Sequence, residues 1–319
     1  MWNAVRQQFV VADEAQNTRG KPAKAAVALT VVAAALCSTM ASAAYVEPGF
    51  VANSRLQMDE AKASWETDEY MKNWGLVAQK ASAAYALGFH GQGVKVGMMD
   101  SGFLKNHVEL SGDRWHAVSA YGTYDHNGER YPQYAYGKKP KDTSKFTAGS
   151  SFAVNGYYDS SVNDNHGTGC VGVMAGNRNG TGMHGVAWGS EIYSANTGGT
   201  DDTNYGPFPD YNFFKAGYDA LVNSGVKIIN NSFGTNLKQV DEKGNILDYY
   251  HSGPELTTVH DIEYEYFMFK RAYAGKKSFV DAAWDAIKGK DVIQVFTNGN
   301  NDRANPYHRA LFPLSLIHI

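Results

Sequence analysis

The sequence predicts an α/β fold, a parallel sheet with helices on both faces, and three observations carry that reading. Short apolar, β-branched runs (VKVGMMD, VKIINN, DVIQVF) alternate with segments of ten or more residues patterned as helices. Each run closes on a polar, glycine-bearing turn: Asp100-Ser101-Gly102, Asn231-Ser232-Phe233-Gly234 and Asn298-Gly299-Asn300. The composition, 43% hydrophobic and 19% charged over 319 residues, is that of a folded chain large enough for one big domain or two smaller ones. Ligands in such sheets bind beyond the carboxyl ends of the strands, so these turns are where chemistry is expected.

The first 43 residues read as an extended signal peptide. Lys21 and Lys24 precede the apolar stretch AAVALTVVAAAL, and Ala41-Ser42-Ala43 supplies a small-residue cleavage site. The apolar run is shorter than the roughly 20 residues that span a bilayer. Leu36 before Cys37 argues against lipoprotein processing. The preceding MWNAVRQQFVVADEAQNTRGKPAK resembles the extended signal region of bacterial autotransporters. That resemblance implies export to the extracellular space or the bacterial surface, with an outer-membrane translocator domain as part of the full-length protein.

Residues 44–73 form a polar leader with one short helix expected near Asp59 to Trp65. From Trp74, alanine and apolar positions at helical spacing predict a helix that stops at Gly88, Gly91 and Gly93. A strand then runs from Val94 to Asp100. Further on, the pattern predicts a strand near Glu191 to Ala195, a helix from Tyr211 to Ser224, a strand through Asn231, a helix from Phe279 to Lys288 and a strand through Phe296. Two insertions, 112–163 and 235–277, interrupt the rhythm. Loops of that length carry function or mobility more often than filler. The tyrosines between Tyr121 and Tyr136 are read as packing a surface loop.

Net charge of -3 and a pI near 6.4 give no electrostatic case for nucleic acid, which calls for a clustered basic surface, and no nucleic-acid partner is predicted. Of two cysteines, Cys37 falls in the signal segment, which leaves Cys170 and no intrachain disulfide framework. The histidines show neither His-x-x-x-His nor His-Glu-x-x-His spacing, so no catalytic metal is predicted.

Three strings carry the chemistry together: VKVGMMDSG, with Asp100 at a strand end; NDNHGTGCVGVMAG, with His166 opening a glycine-rich helix; and TNGNND, with Asn300 after another strand. In this order, with Ser232-Phe233-Gly234 between the last two, the chain from about Trp74 to Asn301 resembles the subtilisin family of serine endopeptidases. The resemblance implies a three-layer subtilisin-like domain over 74–313, with 314–319 a doubtful tail. It implies a polypeptide substrate, His166 as general base, Asp100 as the carboxylate that orients it, and Asn300 as the oxyanion-hole donor. Ser232, Phe233 and Gly234 resemble the segment that pairs with substrate as an added strand and lines the first specificity pocket. Phe233 stands where the family more often has a small aliphatic residue or leucine. Cys170, four residues after His166, falls on the same helical face and reads first as a small buried hydrophobe; if its thiol lies beneath the histidine, a bulky thiol reagent should inactivate the full-length enzyme.

The family's third motif, Gly-Thr-Ser followed by Met-Ala-Pro, does not occur in these residues, and Ser315 in PLSLIHI lacks its context. The expectation is therefore a C-terminally incomplete domain, a fragment without its nucleophile and inactive alone. Calcium is common in the family. Asn163-Asp164-Asn165 and Asp201-Asp202 offer oxygen ligands but form no recognisable calcium loop, so no cofactor and no specific ion site is predicted. The alternative reading is a secreted, non-catalytic protein that uses the same fold for peptide binding or adhesion.

Overall fold

The computed structural model describes residues 2–3, 8–9, 49–130, 144–158, 165–198, 210–233, 238–240, 246–249 and 276–297. The segments 1–43 and 314–319, apart from the short paired strands Trp2–Asn3 and Gln8–Phe9, lie outside the described residues. Among the described residues no helix is long and apolar enough to cross a membrane.

The core of the fold is a five-stranded parallel sheet. Its strands are β1 (Lys95–Asp100), β2 (Trp115–Ala117), β3 (Glu191–Asn196), β4 (Ile228–Asn231) and β5 (Ile293–Phe296), in the spatial order β5-β4-β1-β3-β2. β1 is central and buried along nearly its whole length, which is why VKVGMMD reads as a continuous apolar run rather than an alternating one. Side chains still alternate in direction. Val96 and Met98 join Val171, Ala175 and Ile192 on one face, whereas Met99 joins Ala195, Ile229, Phe214 and Leu221 on the other. The first face is covered by α5 (His166–Ala175), the second by α6 (Tyr211–Asn223) and α7 (Phe279–Ile287). The α/β fold with helices on both faces is thus observed, and the predicted strands and helices fall within a few residues of their expected bounds.

Helix starts follow from local chemistry. Asp210 caps α6 by accepting from the Phe213 N–H at 2.9 Å. Ser278 and Asp281 form a reciprocal capping box on α7. After β3 the chain crosses over β1 to build β4 and β5 on its far side, so the sheet order reverses beside β1 and opens a crevice at its carboxyl end.

Residues 49–90 fold as short helices, α1 (Met58–Trp65), α2 (Asp68–Met71), α3 (Trp74–Gln79) and α4 (Ala81–Ala86). The expected single helix from Trp74 is two, because Lys80 adopts φ 56 in the left-handed region and turns the chain between them. The turn lets Leu76 and Tyr85 reach one cluster with Ala61, Trp65 and Tyr70, against Val186 and Trp188 of the main body. That cluster straddles the boundary drawn at residue 74. In the first insertion, Ser119–Thr123 pairs antiparallel with Ser151–Asn155, and Gly128–Arg130 with Ser144–Phe146. Tyr124 is buried there, stacked on Phe146 at 3.9 Å between centroids, while Tyr121 is exposed. In the second insertion, Lys238–Val240 pairs antiparallel with Ile246–Tyr249.

Candidate active site at the carboxyl end of the central strand

Asp100 ends β1 with its carboxylate buried, and His166 opens α5 with half of its side chain (52%) exposed. Imidazole Nδ1 lies 2.9 Å from Asp100 Oδ1 and 3.2 Å from Oδ2, while the Ser101 N–H donates to Oδ1 at 2.6 Å. One partner is thus fixed in the core and the other faces solvent. The hydrogen bond to Asp100, helped by contact with Cys170, raises the His166 pKa above its ordinary value despite partial burial.

The two motifs interlock, which explains their glycines. Gly102 sits at φ +79, and a Cβ there would lie 2.5 Å from the Tyr157 carbonyl oxygen. A Cβ on Gly167 would lie 2.4 Å from the Gly102 carbonyl oxygen and 3.1 Å from Asp100 Oδ1. Across that close approach the Gly167 N–H donates to Ser101 Oγ at 2.7 Å and the Leu104 N–H to Thr168 Oγ1 at 3.0 Å. Every residue of Asp-Ser-Gly and His-Gly-Thr therefore has a part in joining strand end to helix start.

Asn196, at the end of β3 beside Asp100, went unremarked in the sequence and is the hub of the turn. Its Nδ2 donates to the carbonyls of Ser101 and Tyr157, both at 2.9 Å, and its Oδ1 accepts from the Gly198 N–H. A strand followed by a polar residue was the available signal, weak alone. Asn231 plays a similar part within the sheet, where its buried amide bonds Gln294 and accepts from the Tyr218 hydroxyl at 2.7 Å.

Of the remaining expected site residues, Ser232 follows β4 and accepts from Asn230 Nδ2 at 2.8 Å. Phe233 turns its side chain inward, buried against Phe214 and Phe279 at 5.9 and 6.1 Å between centroids. Its ring is thus a core element, and its backbone is what it could offer to a bound chain. Gly234 and Asn300 lie outside the described residues, as do Asp164, Asp201 and Asp202. Cys170 Sγ lies 3.7 Å from Nδ1 and 3.8 Å from Nε2 of His166, as the one-turn spacing predicts. A cavity of about 620 Å³ lies elsewhere, between β2, β3 and α6, lined by His116, Tyr193 and Asp219 among others and by none of these site residues.

Fold and site together define a doubly wound α/β protein that presents a buried carboxylate and a half-exposed imidazole at the switch point of its sheet. The sequence profile of peptidase S8, the subtilase family, matches residues 91–311, and the chain belongs to that family. Two relatives from Serratia marcescens, each named an extracellular serine protease, are 30% identical over 207 residues and 29% identical over 206 residues. Both alignments take in 64% of this chain, which spans only 15% of the length of either relative. Among solved structures, MycP1 with its N-terminal propeptide removed aligns at 16% identity over 75% of this chain and 53% of its own, with a TM-score of 0.36. MycP3 protease from the type VII (ESX-3) secretion system aligns at 14% identity over 80% of this chain and 48% of its own, with a TM-score of 0.34.

Proposed function

We propose that this chain carries the base-and-carboxylate half of the active site of an exported, subtilisin-like serine endopeptidase. The observation that carries the reading is the 2.9 Å contact between Asp100 Oδ1 and His166 Nδ1 at the end of the central strand, inside the segment matched by the family. A serine hydroxyl is a weak nucleophile until an imidazole takes its proton. With Nδ1 bonded to Asp100, His166 is left to use Nε2 for that transfer, and the carboxylate stabilises the imidazolium that forms. The nucleophile is assigned to sequence other than these 319 residues, because the Gly-Thr-Ser motif does not occur in them.

Asn300 is assigned as side-chain donor to the tetrahedral oxyanion, a contribution of about 10² to 10³ in rate in such sites. Ser232 to Gly234 are assigned to bind the substrate backbone as an added strand. The substrate is a polypeptide. The signal segment and the extracellular Serratia relatives support export, and the autotransporter-like leader supports delivery to the cell surface with a translocator domain.

The test is peptide hydrolysis by the full-length protein and its His166→Ala variant. A fall of about 10⁴-fold or more in kcat/KM at unchanged circular dichroism is expected. Hydrolysis unaffected by the substitution would refute the assignment. A full-length protein that binds peptides and cleaves none would favour the adhesion reading.

A further inference from the structure

We propose that the cavity between β2, β3 and α6 is a second recognition site, and that it takes a neutral saccharide. Its volume of about 620 Å³ lies inside the range of about 300–1,000 Å³ that small-ligand pockets span. The hollow follows from the sequence of α6. One face of that helix, with Phe214, Tyr218 and Leu221, is buried in the core, while Ala216, Asp219, Ala220 and Asn223 recur at i, i+3, i+4 and i+7 along the cavity. Two alanines leave the space open, and a carboxylate and a carboxamide line it.

The opposite wall supplies an aromatic surface. Tyr121, from the strand Ser119–Thr123, lines the cavity and is 79% exposed, so its ring does not serve the packing expected of the loop tyrosines. Such a ring offers an apolar face to the C–H groups of a pyranose and a hydroxyl at its tip. Ser119, two residues earlier on the same face of the strand, adds a second hydroxyl.

The charges at the cavity select against an ionic ligand. Asp219 already holds Lys215, Nζ to Oδ1 at 2.7 Å, and Glu191 behind the wall accepts from the Tyr193 hydroxyl at 3.1 Å with Lys95 and His116 at 3.9 and 3.8 Å. Each carboxylate has its cation. What remains is hydrogen-bonding capacity without net charge: spare lone pairs on Asp219, and an Asn223 amide that both donates and accepts, the pairing that vicinal hydroxyls require.

The site lies away from the peptidase residues. Lys95, at the start of β1, donates to the carbonyl of Ser224 on the cavity rim at 3.2 Å, and the five residue steps from Lys95 to Asp100 put roughly 16 Å of strand between the two places. A glycoprotein held by its sugar therefore leaves the Asp100 end of the sheet clear. That consequence rests on the peptidase reading, and the saccharide site does not.

Maltose, lactose and N,N′-diacetylchitobiose are the probes, titrated against the full-length protein with saturation-transfer difference NMR. At least one is expected to bind, with Tyr121→Ala weakening it about tenfold. Tyr121→Phe, which keeps the ring face, should stay within about threefold of the parent. Asn223→Ala should weaken binding at least threefold. Both positions are exposed, so far-UV circular dichroism and hydrolysis of an unglycosylated peptide are expected to stay unchanged. Failure of all three sugars to bind, or binding indifferent to Tyr121→Ala, overturns the site. Sugar binding by a protein that cleaves no peptide would remove the peptidase assignment and leave the cavity's role intact, and cleavage without sugar binding would do the reverse.

Discussion

Asp100 and Glu109 are buried to nearly the same degree, 2% and 6% exposed, yet they face opposite kinds of partner. Asp100 meets an imidazole that can carry positive charge, and the pair is polarised toward an exposed ring. Glu109 meets Glu69, itself buried, across the loop that follows α5: Asn179 Nδ2 donates to Glu109, while the N–H groups of Asn179 and Gly180 donate to Glu69. Burial, reinforced by the charge of Glu69, pushes the Glu109 carboxyl up to about 7. Burial alone therefore does not make a carboxylate useful for proton transfer; the partner decides. One site stores an oriented charge next to solvent, and the other clamps a loop to the N-terminal helices.

The sharpest way to break this comparison is to remove the charge from the first site and keep its shape. Asp100→Asn in the full-length protein leaves a group that can still bond His166 but no longer stabilises the imidazolium or fixes its tautomer. A fall of about 10⁴-fold in kcat is expected, with unfolding curves little altered. A variant that kept its activity would reduce Asp100 to a structural role like that of Glu109.

The first site was legible in the sequence and the second was not, for a physical reason. Asp-Ser-Gly and His-Gly-Thr each place their chemistry within three consecutive residues, because the strand end and helix start approach too closely at Gly102 and Gly167 to tolerate a side chain. The constraint is local, so it leaves a local signature. Glu69 and Glu109 meet through Asn179, more than a hundred residues after Glu69, and nothing in the spacing announces it. The sheet was likewise legible from β1, β4 and β5, whose apolar runs end in polar turns. The break at Lys80 was not, since the helical pattern runs through it without a glycine, nor was the inward turn of Phe233, which depends on Phe214 and Phe279 from two separate helices.

The next effect is one of stability and pH. The folded-state pKa of Glu109, about 7, lies above the ordinary 4.5, so the folded protein binds the extra proton. Its contribution is therefore complete below about pH 4.5 and lost as the pH rises through 7. Glu109→Gln keeps an acceptor for Asn179 and removes the titration. Against this variant, the parent is expected to lose a few kcal/mol, to order of magnitude, between those limits and little beyond them. Denaturant unfolding from pH 4 to 8 measures it. A variant that was instead the less stable protein at pH 8 would mean that Glu109 is held as an anion, which would erase the contrast with Asp100.

The smallest effects concern the glycines that let each site close. An alanine Cβ at Gly167 would meet the Gly102 carbonyl, which is backbone and cannot step aside, and it would crowd Asp100 Oδ1. Gly167→Ala is expected to cost about 1–3 kcal/mol and to lower activity as well, since the Asp100–His166 contact must shift. At Gly182, φ +60, the nearest atom to such a Cβ is Glu109 Oε1 at 2.6 Å, the end of a side chain rather than backbone. Gly182→Ala should cost about 1 kcal/mol, mainly from the left-handed backbone, and leave kcat/KM unchanged. Parallel unfolding and kinetic measurements on the two variants separate the sites. If Gly182→Ala lowered activity in proportion to Gly167→Ala, strain at the loop clamp would be reaching the imidazole through α5, and the two carboxylate sites would have to be treated as one coupled unit.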